Sequence, residues 1–192
     1  MGAVLGSLAR YAHPILLLVA ALLAIGAALM LLALQVLGWS LYGLGHLGLL
    51  VALPAVAAVY RASLDKVSWV ALVVVYVGGV LGIPVVLMML SHYLQNPDVD
   101  DLLMPQDLSP LGMLPGVVVW VGLALFGVAA WSARAVPRGG AATLVVGAVL
   151  AFGAEIGFFI PLMWAFGIIF ASIGLVWLAP AEEDRRPATQ VR

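Results

Sequence analysis

The residue with the clearest capacity for chemistry is Glu155, which lies in the stretch GAEIGFFIP inside an otherwise uncharged apolar tract. An ionisable side chain within a membrane span costs free energy and tends to face the interior of a helix bundle, where it handles protons, ions or ligands. A structural interpretation stays open beside this one. Glu155 is close to a predicted turn at 157–161, so its carboxyl group reaches the headgroup region or stays protonated and hydrogen-bonded.

Three further polar residues are predicted at a similar depth, namely Gln35, His46 and His92. His46 has the chemistry of a proton relay or a ligand-binding group, or it is a histidine hydrogen-bonded across a glycine-lined helix contact. His92 lies at the predicted membrane interface, where a histidine is commonly solvated. Together with Glu155, these residues predict a candidate polar pocket that opens toward the outer face.

Cofactor and metal chemistry have little support in the sequence. His46 and His92 are two imidazoles on neighbouring predicted spans, which is chemically sufficient for a haem, but neither has a flanking motif and no second pair exists. The acidic stretch NPDVDDLLMPQD does not match a calcium-binding loop, because no glycine follows its carboxylates. We therefore predict no cofactor, no metal site, and an outer acidic loop that contains Asp98, Asp100, Asp101 and Asp107.

Ordinary enzyme motifs are also missing from the sequence. It has no H-E-x-x-H, no G-x-S-x-G and no phosphate-binding glycine loop with a lysine. It has no cysteine, which excludes disulfides and thiol catalysis. We therefore predict a protein that is not an enzyme.

The composition indicates an integral membrane protein. Of the 192 residues, 65% are hydrophobic and 9% are charged, and the mean hydropathy is +1.20. A soluble domain of this size would expose too much apolar surface to water. The net charge of -1 gives no reason to expect nucleic acid as a partner.

The uncharged tracts predict an all-α, polytopic fold of six transmembrane helices arranged as three hairpins. A helix needs about 20 apolar residues to cross the hydrocarbon core, so the two longest tracts are divided into two spans each. The first division is placed at Gln35, Gly38, Trp39 and Ser40. The predicted bundle covers residues 1–180, with an outer acidic loop at 91–113 and a charged cytoplasmic tail at 181–192. The predicted helices lie near 13–36, 41–60, 67–90, 114–133, 141–156 and 162–179.

The positions of the charges predict the orientation of this bundle. All eight basic residues fall on one side of the predicted membrane, and basic side chains stay cytoplasmic when loops are short. Both termini are therefore predicted to be cytoplasmic, with the chain in the inner (plasma) membrane. Trp39, Tyr42, Tyr93 and Trp164 are predicted at the outer membrane interface, as members of an aromatic belt.

The run LFGVAAWSARAVPRGGAATLVVG, with Trp177, Leu178 and Ala179 closing the last predicted helix, resembles a broad group of small six-helix bacterial integral membrane proteins. This resemblance implies six helices and a bacterial membrane. It carries over no functional residue.

Two functions follow from these observations. The first is a non-catalytic membrane protein that binds membrane lipids and other subunits or itself, as a partner-binding or assembly subunit of a membrane complex. The alternative is a small transporter or ligand-binding protein whose outward-facing pocket surrounds Glu155 and His46. Polar content separates them, because coupled transporters usually bury several charges, whereas the predicted spans contain one, Glu155, which favours the first function.

Overall fold

The computed structural model describes residues 2–96, 109–156 and 161–178, which form six α-helices. The helices are α1 (Gly2–Leu31), α2 (Gln35–Tyr60), α3 (Lys66–Gln95), α4 (Ser109–Ser132), α5 (Arg138–Ile156) and α6 (Pro161–Trp177). These described residues contain no strand. The predicted all-α class and the predicted number of helices are therefore confirmed.

Five of these helices, α1 to α5, are long and apolar enough to cross a membrane by length and composition. The sixth, α6, is an apolar helix of 17 residues. Proline lies inside four of the helices, at Pro14, Pro54, Pro84 and Pro115.

The helices form a closed ring. Each helix packs antiparallel against the next one in the sequence, and α6 packs against α1. One end of the ring, here called the basic end, holds every arginine and lysine that the structure describes: Arg10, Arg61, Lys66, Arg134 and Arg138. The other end, here called the site end, holds the last turn of α5 and the first turns of α2 and α6.

Glycines set the close spacing of neighbouring helices, because small residues let helix backbones approach each other. A Cβ at Gly26 of α1 would lie 2.6 Å from the backbone nitrogen of Tyr42 in α2. A Cβ at Gly147 of α5 would collide with the backbone nitrogen of Ala171 in α6. Side chains at these positions would force the helix axes apart.

The division between α1 and α2 differs from the prediction. The predicted break at Gln35 to Ser40 is wrong, because these residues lie inside α2 and the turn is the apolar segment 32–34. Ala33 adopts a left-handed conformation with φ 58°, and Leu34 N–H donates to Leu29 O at 3.0 Å. Two side chains predicted as breakers instead bond to backbone carbonyls, since Ser40 Oγ donates to Val36 O at 2.7 Å and Gln35 Nε2 donates to Met30 O at 3.2 Å.

Other helix ends also lie beyond their predicted positions. The first helix begins at Gly2 instead of near residue 13, α3 continues to Gln95, and α4 begins at Ser109. Hydropathy marks only the part of a helix that suits lipid, whereas backbone hydrogen bonding continues into the polar flanks. The acidic residues of the predicted outer loop and the predicted tail 181–192 lie outside the described residues.

Candidate functional site

Four polar or aromatic side chains form a stripe along the site end of α2. They are Gln35, Trp39, Tyr42 and His46, at steps of four, three and four residues, which places them on one face of a helix. All four side chains are buried. The stripe therefore faces the interior of the ring and its packed neighbours.

A group of four aromatic side chains, here called the aromatic cluster, fills the interior at the site end. Trp39 and Tyr42 of α2 meet Trp164 of α6 with ring centroids 6.1 Å and 5.4 Å apart. Trp39 also stacks on Tyr93 of α3 at 6.4 Å. Since α2 and α6 are not neighbours in the ring, these side chains close its centre.

The aromatic cluster corrects the prediction of an outer aromatic belt. Trp39, Tyr42, Tyr93 and Trp164 are only 7%, 8%, 1% and 5% exposed. An interfacial tryptophan or tyrosine presents its ring to the lipid headgroups. These four rings instead pack on each other, because their α2, α3 and α6 positions face inward.

Glu155, in the last turn of α5, lies next to this cluster. Trp120 Nε1 of α4 donates to Glu155 Oε1 at 2.9 Å. The Trp164 side chain also hydrogen-bonds to the carboxyl group of Glu155. The Tyr42 hydroxyl is close enough to interact electrostatically with the same carboxyl group. Gly116 of α4 leaves the space for the carboxyl group, because a Cβ there would collide with both carboxylate oxygens.

The site has unpaired hydrogen-bonding capacity. Glu155 Oε2 is buried and has no hydrogen-bond partner among the residues that the structure describes. Trp39 Nε1 is also buried and has no hydrogen-bond partner within residues 2–96, 109–156 and 161–178. Buried polar atoms almost always have a partner. Orphaned atoms also occur toward the basic end, on His13, Ser68 and Ser172, but the penalty for a missing partner is largest for a charged group, so Glu155 Oε2 is the strongest candidate for a ligand contact.

His46 contacts Tyr42, which in turn interacts with Glu155. The ring centroids of His46 and Tyr42 are 6.0 Å apart. His46 Nε2 is 2.9 Å from Gly79 O of α3. A carbonyl oxygen only accepts, so Nε2 carries the proton in this arrangement. Gly82 leaves room for the imidazole, since a Cβ there would lie 2.5 Å from Nε2. The predicted hydrogen bond across a glycine-lined contact is confirmed.

The other two predicted pocket residues, Gln35 and His92, make contacts near the ends of α1 and α3. Gln35 donates its amide to the end of α1, and His92 is partly buried with its ring edge-to-face to Tyr93 at 5.3 Å. His46 contacts α3 at Gly82, ten residues before His92, which corresponds to about 15 Å along the helix. The two imidazoles therefore lie at different depths. Among the described residues, no group of three His, Asp or Glu side chains comes together as a metal site.

Five aromatic residues of the site were not predicted from the sequence as pocket residues: Trp39, Tyr42, Tyr93, Trp120 and Trp164. The spacing of Gln35, Trp39, Tyr42 and His46 was a usable sign that the aromatic face of α2 points inward. Nothing in the spacing of Trp120 and Glu155, 35 residues apart, indicates their hydrogen bond. That contact depends on α4 and α5 packing side by side.

The arrangement combines a carboxyl group, indole and phenol rings, and an imidazole with an assigned proton in the interior of the ring. A carboxylate surrounded by aromatic faces has the chemistry that recognises positively charged groups. No family model, curated protein or solved structure matches the chain.

Proposed function

We propose that this chain is a multi-pass membrane protein that binds a positively charged ligand in the interior of its helix ring, with Glu155 as the charge partner. It acts as a small transporter or a ligand-binding protein. The observation that carries this proposal is the position of the Glu155 carboxyl group, which is held through Oε1 by Trp120 while the buried Oε2 has no partner among the described residues.

The membrane setting is supported by the outer surface of the ring. Large apolar side chains stand exposed on every helix, for example Leu18, Leu37, Val70, Val128 and Phe166. A water-soluble protein does not expose apolar area around its whole circumference. The short α6 rises about 26 Å along its axis, a little under the hydrocarbon thickness of about 30 Å. We infer that it is the sixth span, because it completes the ring.

The orientation follows from the charges. The basic end holds all the described arginines and lysines, and we place this end and both termini in the cytoplasm of a bacterium, with the ring in the inner membrane. The Glu155 site then lies near the outer face. It is separated from the cytoplasmic side by most of the length of the bundle.

A cation is the ligand whose charge suits this site. No Arg, Lys or His among the described residues forms an ion pair with Glu155. An ionised carboxylate inside a membrane protein needs a compensating charge, and the described part of the ring offers none. Aromatic faces add attraction for a cation without adding charge.

The prediction of an assembly subunit stays beside this proposal. The exposed apolar helix faces suit contacts with lipid and with other subunits equally well, so they do not distinguish an assembly subunit from a ligand-binding protein. The Glu155 site favours ligand binding, because an interior carboxyl group with an unpaired oxygen contributes nothing to contacts on the outside of the ring.

The test uses the natural fluorescence of the chain. Three of the six tryptophans, Trp39, Trp120 and Trp164, lie at or next to the site, and the other three lie at the basic end. The protein in lipid nanodiscs is titrated with sodium, tetramethylammonium and butylammonium chloride at constant ionic strength. We expect a saturable fluorescence change with at least one cation.

Glu155→Gln is the decisive variant, because it keeps the shape of the side chain and removes the charge. Asp65→Asn is its control, since it removes one negative charge at the basic end. We expect Glu155→Gln to abolish the saturable change while Asp65→Asn retains it. The proposal is wrong if no cation gives a saturable change, or if Glu155→Gln, eluting as a folded monodisperse species, responds like the natural chain.

A further inference from the structure

The side chains that hydrogen-bond to the Glu155 carboxyl group are neutral. Trp120 of α4 and Trp164 of α6 donate indole N–H groups to it. These are the two helices that pack against α5 in the ring, and their described residues include no Arg, Lys, His, Asp, Glu or Tyr. The helices on either side of Glu155 therefore offer neither a compensating charge nor a second titratable group.

The other titratable side chains at the site end come from α2 and α3. Tyr42 of α2 interacts electrostatically with the carboxyl group, and His46 packs against Tyr42 with its Nε2 hydrogen-bonded to the backbone of α3. On α3, His92 and Tyr93 are in edge-to-face contact at 5.3 Å. Neither imidazole forms an ion pair with Glu155 within the described part of the chain.

The connections at the site end bring no basic residue either. Residues 97–108 and 157–160, which lie outside the described residues, join α3 to α4 and α5 to α6, and their sequences contain no Arg, Lys or His. The third connection, 32–34, is apolar. The first of these segments contains Asp98, Asp100, Asp101 and Asp107. In any arrangement, these segments supply no positive side chain to Glu155.

A buried carboxyl group in such surroundings holds a proton when no ligand is bound. An ionised carboxylate without a compensating charge costs far more in a low-dielectric interior than the neutral acid does, so the group takes up a proton. The proton belongs on Oε2, because Oε1 accepts the indole N–H of Trp120, whereas Oε2 has no hydrogen-bond partner among the described residues. The empty site is then neutral.

We propose that the Glu155 site exchanges one proton for each positively charged ligand that it binds. This inference rests on the proposed function and adds the coupling of ligand binding to pH. On binding, the Oε2–H bond breaks and its electron pair stays on the carboxylate, while the proton passes to water at the site end of the ring. The positive charge of the ligand replaces the proton, so the net charge of the site stays at zero.

The exchange fixes the direction of the pH dependence. Protons and ligand compete for one carboxyl group, so the apparent affinity for the ligand is low in acid and rises by about tenfold per pH unit for the one proton displaced. The affinity stops rising at the pH where the empty site ionises without a ligand. In a transporter, the same exchange moves one positive charge in each direction, so the membrane potential does not drive it.

The first experiment measures ligand affinity as a function of pH. The tryptophan fluorescence titration is repeated between about pH 5 and pH 8 on the full chain in phosphatidylcholine nanodiscs at constant ionic strength. Sodium, tetramethylammonium and butylammonium keep their charge across this range, and the lipid stays zwitterionic. We expect a cation that binds to have at least tenfold higher affinity at the upper pH than at the lower. Asp65→Asn, which changes a carboxyl group at the basic end, is expected to show the same pH dependence.

Two further measurements identify the displaced proton. In weakly buffered solution near pH 6, a pH electrode counts the protons released per bound cation, with empty nanodiscs subtracted, and we expect about one. Infrared difference spectra of the same binding step are expected to show loss of the C=O stretch of a protonated carboxylic acid and gain of the carboxylate stretches. These bands distinguish a carboxyl group from an imidazole or a phenol as the source of the proton.

A combined variant tests whether the proton comes from the acidic segment between α3 and α4. It carries Asp98→Asn, Asp100→Asn, Asp101→Asn and Asp107→Asn. We expect this variant to keep the proton count and the infrared bands of the natural chain. Loss of proton release in this variant, while it still binds the cation, would overturn the exchange at Glu155.

The remaining outcomes distinguish the exchange from the proposed function. Equal affinity at both ends of the pH range without proton release would show that the empty carboxyl group is already ionised. The exchange is then wrong and the proposed function stands. If no cation binds, or if folded Glu155→Gln binds cations like the natural chain, the proposed function fails and the exchange fails with it.

Discussion

Trp120 of α4 donates its indole N–H to the Glu155 carboxylate of α5 across 2.9 Å. This bond holds Oε1 against α4, and Oε2, which has no hydrogen-bond partner among the described residues, is buried against Gly116 of the same helix. Gly116, one helical turn before Trp120, makes room for the same carboxyl group. The position of Glu155 is therefore set by its neighbouring helix, which makes α4 the natural place to perturb the site.

Trp120→Phe is expected to weaken both the fold and the site. Hydrogen bonds between membrane helices contribute about 0.5–2 kcal/mol, so the thermal unfolding midpoint in detergent should fall modestly. A double-mutant cycle with Glu155→Gln separates the hydrogen bond from the lost ring volume. Trp131→Phe is the control, because Trp131 is 44% exposed at the basic end. A coupling free energy of zero between positions 120 and 155 would contradict the structural role of this bond.

Gly116→Ala is expected to impair binding more than folding. The added methyl group overlaps with both oxygens of Glu155, and the glutamate side chain can rotate away from it. The carboxyl group would then leave the aromatic cluster, and we expect the cation affinity to fall at least tenfold in the fluorescence titration. Gly153→Ala on α5 is the control, since its methyl group meets only the terminal Cε of Met163, at 2.8 Å. Unchanged affinity in Gly116→Ala would place the binding group elsewhere.

Gly147→Ala is expected to destabilise the contact between α5 and α6. Its methyl group meets backbone atoms, with Gly167 O at 2.6 Å and a closer contact to Ala171 N, and backbone cannot rotate out of the way. Overpacking of this kind costs about 1–3 kcal/mol. Thermal unfolding in detergent measures the loss, and Gly153→Ala again serves as the comparison. Equal unfolding midpoints for the two variants would show that the helices are not packed this closely.

The orientation is tested by cysteine labelling, for which the chain offers a clean background because it contains no cysteine. Ser63→Cys lies between α2 and α3 at the basic end, and Asn96→Cys follows α3 at the site end. In intact cells, we expect a membrane-impermeant maleimide to label Asn96→Cys and to label Ser63→Cys only after the cells are opened. Labelling of both positions from the same side of the membrane would contradict the proposed orientation.

The pH dependence of stability is expected to include a contribution from Asp65, which caps the N-terminus of α3. The nearby Ser68 hydroxyl and the Ser68 backbone N–H, which donates to Asp65 Oδ1 at 2.8 Å, lower the pKa of Asp65 below its ordinary value of 3.8. Because the folded pKa is lower than the unfolded one, the stabilisation is complete above the ordinary value and is lost as the pH falls through the lowered value.

Asp65→Asn separates this effect from the cap itself, since asparagine also accepts from the helix N-terminus. The variant should lose the acid-dependent part of the stability difference, measured as unfolding midpoints between pH 6 and about pH 3. The same slope in both proteins would show that Asp65 titrates with an ordinary pKa in the folded chain.

The helix count was predictable because hydropathy and helix length are properties of the local sequence. A run of about 20 apolar residues has few alternatives to a helix in a membrane. The position of the first turn was predicted incorrectly, because Gln35 and Ser40 are polar and were interpreted as breakers. Their side chains instead bond to nearby backbone carbonyls, and the left-handed residue is Ala33 in an apolar segment.

Glu155 was recognisable from the sequence by its rarity, since it is a carboxyl group in an apolar tract. Its partners were not recognisable. Tryptophans near helix ends suit a membrane interface and a buried cluster equally well by position alone. The rotation of each helix about its axis decides between these two environments, and the neighbouring helices set that rotation.

The sequence by itself determined the six apolar helices and the concentration of the described basic residues at one end, because each depends on composition or local order. Only the tertiary structure decided that α6 returns to α1, that Trp39, Tyr42 and Trp164 meet in the centre, and that Glu155 has Trp120 as its donor. Those relationships join residues far apart in the chain, and they form only when the glycine-lined helix faces pack into a closed ring.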